Sequence, residues 1–112
     1  MAELALANQY AKALLEVAQA EGGTSAAEAA LGQLAEFAAL LRESRDLRTV
    51  LLSPAVDHEQ KVRLINRLCG AIGAGRPVRN FLNVATRKRR LAMLDAIRDR
   101  YQALLDEAEG IV

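Results

Sequence analysis

Residues 4–20 read LALANQYAKALLEVAQA, and this stretch decides the fold. Successive residues of an α-helix are about 100° apart, so Asn8, Gln9, Lys12, Glu16 and Gln19 gather on one arc of roughly 100°. Every other position is apolar, over an arc of roughly 260°. A helix with one packed face needs an apolar stripe only somewhat wider than about 100°. The excess divides into two flanks. Leu6, Tyr10, Ala13 and Val17 form one; Leu4, Ala7, Ala11, Leu14, Leu15 and Ala18 form the other. Two readings account for this. The helix is enveloped by its own domain, or one flank is covered by the domain and the other by a second protein.

The rest of the chain agrees with a helical fold. At 112 residues it is the size of one domain. Apolar residues make up 52% and aromatics only 4%, so the core is built from small and aliphatic side chains. Helix formers dominate and β-branched residues are scattered, which predicts an all-α protein. A net charge of +1 gives no molecule-wide field for a polyanion. The single Cys69 excludes an internal disulfide, and with the lone His58 it cannot assemble a zinc site. No signal peptide and no membrane-length apolar run is present.

Going outward from the first helix, Gly22-Gly23 predicts its end. Ser25 and Glu28 then have the spacing of a capping box for a second helix over 25–43, with Leu31, Leu34, Phe37 and Leu41 inward. A break at 44–46 precedes a short helix over 47–52 carrying Leu47, Val50 and Leu51, which Pro54 stops. Asp57, with Gln60 three residues on, predicts the cap of a fourth helix over 58–69 that turns Val62, Ile65 and Leu68 inward. His58 is expected in solvent and Cys69 in the core. Residues 70–76, with three glycines, read as a loop; they lack a P-loop ending and follow no strand. Pro77 opens a fifth helix with Val78, Phe81, Leu82 and Ala85 on one face and Val84 at its edge. A sixth, over 91–109, carries Leu91, Leu94, Ile97, Tyr101, Leu104 and Ala108. The expectation is a compact six-helix bundle, all-α, over residues 1–109. Residues 110–112 read as the start of a linker to a further domain.

No acidic pair stands alone on an apolar face; the acidic residues fall on polar helix faces or at helix starts. Catalysis, a metal site and a cofactor are therefore not expected. The basic run Arg87, Lys88, Arg89 and Arg90 is the strongest charge feature. As a phosphate-contacting patch it would make the domain a small nucleic-acid-binding module. Against that, it lacks interleaved aromatics, and Asp95 and Asp99 follow closely. It reads otherwise as a solvated corner between helices.

Several stretches, in order and over essentially the whole chain, resemble one known family. Tyr10-Ala11-Lys12-Ala13-Leu14-Leu15-Glu16-Val17-Ala18 is similar to the opening motif of the delta subunit of F-type ATP synthase, the bacterial counterpart of the mitochondrial oligomycin-sensitivity-conferring protein. Leu51-Leu52-Ser53-Pro54, Asn80-Phe81-Leu82, Arg90-Leu91, Leu94, Ile97, Tyr101 and Gly110 resemble its later landmarks. The turn before the last helix departs from the family pattern. It often reads Glu-Asn-Gly-Arg there, and here Thr86-Arg87-Lys88-Arg89-Arg90 keeps only the final Arg.

The resemblance implies a non-catalytic stator subunit of the peripheral stalk. Its N-terminal domain would sit on the catalytic head and bind the amphipathic N-terminal helix of an alpha subunit between helices 1 and 5. Contact with the peripheral-stalk b subunits would come through a C-terminal domain that this chain lacks. The location implied is the cytoplasmic face of the bacterial plasma membrane, reached only through the complex, with no nucleic acid involved. The residues expected to line the groove are Ala7, Tyr10, Ala11 and Leu14 on helix 1, and Val84 and Arg87 on helix 5. Tyr10 is the expected anchor.

Overall fold

Ser44 shows how locally the elements are set. Its backbone is extended and its hydroxyl accepts the Leu47 amide at 3.2 Å, so the break expected at 44–46 is an N-cap. A computed structural model describes residues 2–110; the expected linker residues Ile111 and Val112 lie outside them. Among the described residues there are five α-helices and no strand. They are α1 (Ala2–Glu43), α2 (Arg45–Leu52), α3 (His58–Ile72), α4 (Arg76–Arg87) and α5 (Leu94–Ala108), with a 3-10 turn, Leu91–Met93, leading into α5.

The count is five and not six because the first two expected helices are one kinked element. Gly22 (φ −157°, ψ 18°) and Gly23 (φ 67°, ψ −152°) leave the helical region, and helix resumes at once. The dihedrals of Gly23 lie where only glycine is at ease. A Cβ on Gly22 would meet the Ala26 Cβ at 2.7 Å. α1 thus folds into a first limb before the kink and a second limb after it. The expected capping box does not form, because residue 25 is already inside a helix. The Glu28 carboxyl instead faces Glu109 beyond the end of α5, and this proximity raises the Glu109 pKa from its ordinary value.

One further boundary and two inward faces differ. α3 continues through Gly70 to Ile72 and stops at Gly73, the glycine that takes a left-handed φ of 72°. The amides of Ala74 and Gly73 then donate to the carbonyls of Cys69 and Gly70, closing the helix in a Schellman motif. On α3 the buried positions are Lys61, Ile65 and Cys69, while Val62 and Leu68 are half-buried. On α5 the buried row is Leu94, Ile97, Tyr101 and Leu105; Leu104 is half-buried and Ala108 exposed.

The two limbs of α1 and α5 enclose the centre. Ala7, Ala11 and Ala18 of the first limb, Ala27, Leu34 and Phe37 of the second, and Ile97 and Tyr101 of α5 are all fully buried. Polar bonds lock this contact. The Arg100 guanidinium donates twice, at 3.2 Å, to the Asn8 carbonyl on the first limb. The Tyr101 hydroxyl donates at 2.7 Å to the Ala27 carbonyl on the second. The Arg48 guanidinium donates to the carbonyls of Leu41 and Arg42 at 2.6 and 2.7 Å, where the end of α1 leaves acceptors free. The side chain of Gln33 accepts the Gly75 amide at 3.2 Å and donates to the Gly73 carbonyl, tying the α3–α4 turn to the second limb. α4 then lies against the first limb, and the groove between them is the candidate site.

Candidate partner-binding groove

Leu14 and Ala18 of the first limb turn into the core, but Val17, one turn from Leu14, stays 49% exposed. On the flank of α1 that carries Tyr10, Ala13 and Val17, Tyr10 is half-buried while Ala13 and Val17 stay exposed. This flank forms one wall of a groove of about 480 Å³, with Leu14 at its base. The other wall is α4, through Pro77, Asn80, Phe81 and Val84. Tyr10 and Phe81 meet across the floor edge to face, with ring centroids 6.3 Å apart and planes at 77°. Glu21 and Arg76 close one end at 3.9 Å. Both are well exposed, so this pair orients the rim and adds little stability.

The structure brings together Tyr10, Leu14 and Val84 of the six expected groove residues. Ala7 and Ala11 are fully buried among the core residues and do not line the groove. Arg87 is exposed at the far end of α4 and lines a different hollow, with Arg89 and Pro54. Ala13, Val17, Phe81, Pro77 and Asn80 are the residues that line it without having been expected there. Their signal is in the sequence: Tyr10, Ala13 and Val17 form the helix flank opposite the alanine row.

The basic run ends α4 instead of extending it. The Arg89 and Arg90 amides donate to the carbonyls of Thr86 (3.1 Å) and Ala85 (2.7 Å), a second Schellman motif. The left-handed residue here is Arg89, with φ 60°, where glycine is usual. Arg90 turns partly inward, its Nε enclosed without a partner.

Chemically the groove offers apolar surface and one aromatic pair. Cys69 is fully buried away from it; burial pushes its thiol pKa up, and Arg79 offsets part of that. His58 is exposed. Among the described residues no group of three His, Cys, Asp or Glu side chains is placed to hold a metal, and no helix is long and apolar enough to cross a membrane. The groove suits an apolar helix face pressed between two helices.

Known proteins match this chain along nearly its full length. The family described as ATP synthase delta (OSCP) subunit matches residues 6–112. The ATP synthase subunit delta of Chlorobium phaeobacteroides is 37% identical over 112 residues, covering 100% of this chain and 60% of that protein. The protein of the same name from Synechococcus elongatus is 37% identical, covering 96% and 57%. That from Methylobacterium radiotolerans is 36% identical, covering 96% and 55%. This chain therefore spans little more than half the length of such relatives. No solved structure matches it. The sequence match, running through the helix that forms the groove, places the chain in the ATP synthase delta (OSCP) subunit family.

Proposed function

We propose that this domain is the head-binding part of a peripheral-stalk stator, a non-catalytic role. It takes the amphipathic N-terminal helix of an alpha subunit into the groove between the first limb of α1 and α4. It thereby holds the catalytic head against rotation, at the cytoplasmic face of the bacterial plasma membrane. Residues 110–112 lead toward a C-terminal domain that contacts the b subunits. The supporting observation is the groove itself. Tyr10, Val17, Phe81 and Val84 stay partly exposed around about 480 Å³, with Tyr10 and Phe81 packed on the edge of the core. A helix laid there would bury its apolar face, as in other helix-in-groove complexes.

Titration of a synthetic alpha N-terminal peptide into the isotopically labelled domain tests the proposal. Perturbed amides are expected on the first limb of α1 and on α4. Tyr10→Ala and Val84→Ala are each expected to weaken binding by about 1–3 kcal/mol, as truncations of central anchors do. Apolar burial predicts weak salt dependence, whereas phosphate contacts by Arg87–Arg90 would give a steep one. Perturbations clustered on α2 and α3 would overturn the assignment.

A further inference from the structure

The buried stripe of α3 contains a charge. Lys61, Ile65 and Cys69 are one turn apart, and Lys61 is only 8% exposed. Its ammonium makes no ion pair or side-chain hydrogen bond among the described residues. The buried part is the apolar stem; the ammonium itself is not sealed off, and it lines a cavity.

Lys61 lines a chamber of about 280 Å³ between the end of α2 and the turn after α4. Leu51, Leu52, Pro54 and Leu91 supply apolar walls, and Arg89 is the only other charged residue lining it. Thr86 also lines it, but its hydroxyl is already donated to the Leu82 carbonyl at 2.7 Å. No carboxylate reaches this chamber. The adjoining hollow, which shares Lys61 and Arg89, adds Arg87, His58 and a single acid, Asp57. Lys61 and the exposed Arg89 thus place two cations, an ammonium and a guanidinium, along a hollow with apolar walls.

We propose that this chamber is an oxyanion site of the phosphate type, held by the Lys61 ammonium and the Arg89 guanidinium. The ammonium acts as a point charge, and the guanidinium fork donates two parallel hydrogen bonds. A phosphate dianion matches the two charges; a lone carboxylate leaves one uncompensated. The source is inorganic phosphate or the phosphoryl end of a nucleotide. The site is separate from the helical groove, with which it shares no residue.

The test is an NMR titration of the labelled chain with inorganic phosphate at constant ionic strength, with acetate and ADP in parallel. Saturable shifts are expected at the amides of Lys61, Thr86 and Arg89, with acetate far weaker. ADP binding more tightly at the same amides names the nucleotide as source; equal or weaker binding names free phosphate. Lys61→Met, which keeps the apolar stem, and Arg89→Gln are each expected to weaken phosphate at least about tenfold, the loss of a charged hydrogen bond. Lys88→Gln is expected to leave it unchanged. If Lys61→Met fails to fold, Arg89→Gln decides alone. Absence of saturation, acetate binding as tightly as phosphate, or full affinity in the folded variants overturns the proposal.

Discussion

Tyr101 ties the stability of this domain to alkaline pH. The residue is fully buried, its hydroxyl donates to the Ala27 carbonyl at 2.7 Å, and burial pushes its pKa from the ordinary value of 10.0 up to about 12. The phenol is a neutral acid whose folded-state pKa lies above its unfolded one. Its stabilisation is therefore complete below about pH 10 and is lost as pH rises toward about 12. One pKa unit corresponds to 1.36 kcal/mol, so the full loss is about 2.7 kcal/mol, half of it reached near pH 11. Tyr101→Phe keeps the ring and removes the titration. At neutral pH the variant is expected to be less stable by about 0.5–1.5 kcal/mol, the net value of one buried hydrogen bond. The deficit should vanish near pH 11 and reverse above it. Urea unfolding followed by circular dichroism, on both proteins across this range, reads the difference directly. Every other group is common to both proteins, so its contribution cancels. A stability gap that stays constant from neutral pH to about pH 11 would refute the reasoning.

Gly23→Ala is expected to destabilise the fold by about 1–3 kcal/mol, since φ 67°, ψ −152° is hostile to a side chain although a Cβ there would touch nothing; thermal unfolding measures it. Arg89→Gly should raise stability by about 0.5–1 kcal/mol, because relief of a left-handed residue outweighs the added unfolded-state entropy. Glu109→Gln should stabilise the domain at neutral pH and not below the carboxylate range. Its raised pKa arises from the facing Glu28, so the interaction is present at low pH and lost as pH rises through the folded pKa. Unfolding midpoints of both proteins at acid and neutral pH check this.

The helical class and most element positions were legible because they rest on local chemistry: Ser44 capping α2, Pro54 after α2, Pro77 in the first turn of α4. What was not legible depends on neighbours. Gly70, Gly73 and Gly75 each offered a stop for α3, and only Gly73 takes the left-handed turn, its amide and that of Ala74 closing back on the helix. On α5 a stripe through Tyr101 can continue at Leu104 or Leu105. The anchoring of Tyr101 to the second limb accompanies the burial of Leu105. On α3 a lysine on the inner row contradicted every polarity pattern, because the long apolar stem of Lys61 follows the wall of a cavity that no sequence displays. For the groove, the wide apolar arc of α1 pointed either to a helix enveloped by its own domain or to a second contact surface. It did not show which row of small residues faced outward, since Ala7 and Ala11 differ from Ala13 only in what lies opposite.

That choice of row explains how one helix carries two contacts. The inner row of the first limb is largely alanine, so α5 approaches closely enough for Arg100 to reach Asn8 while Ala7, Ala11 and Ala18 lose all exposure. Methyl groups seal that side, and larger side chains there would overpack it by about 1–3 kcal/mol. The bulkier Tyr10 and Val17 are left on the outer row, where Tyr10 packs half-buried against the edge of the core, Val17 stays exposed, and both line the groove with Phe81 and Val84. On the proposed function, stability and recognition thus lie on different faces of the same turns. Truncating the exposed Val17 removes area that the core does not need, truncating Tyr10 also removes its contact with Phe81 at the core's edge, and changing Ala11 disturbs the α1–α5 contact on which both faces depend.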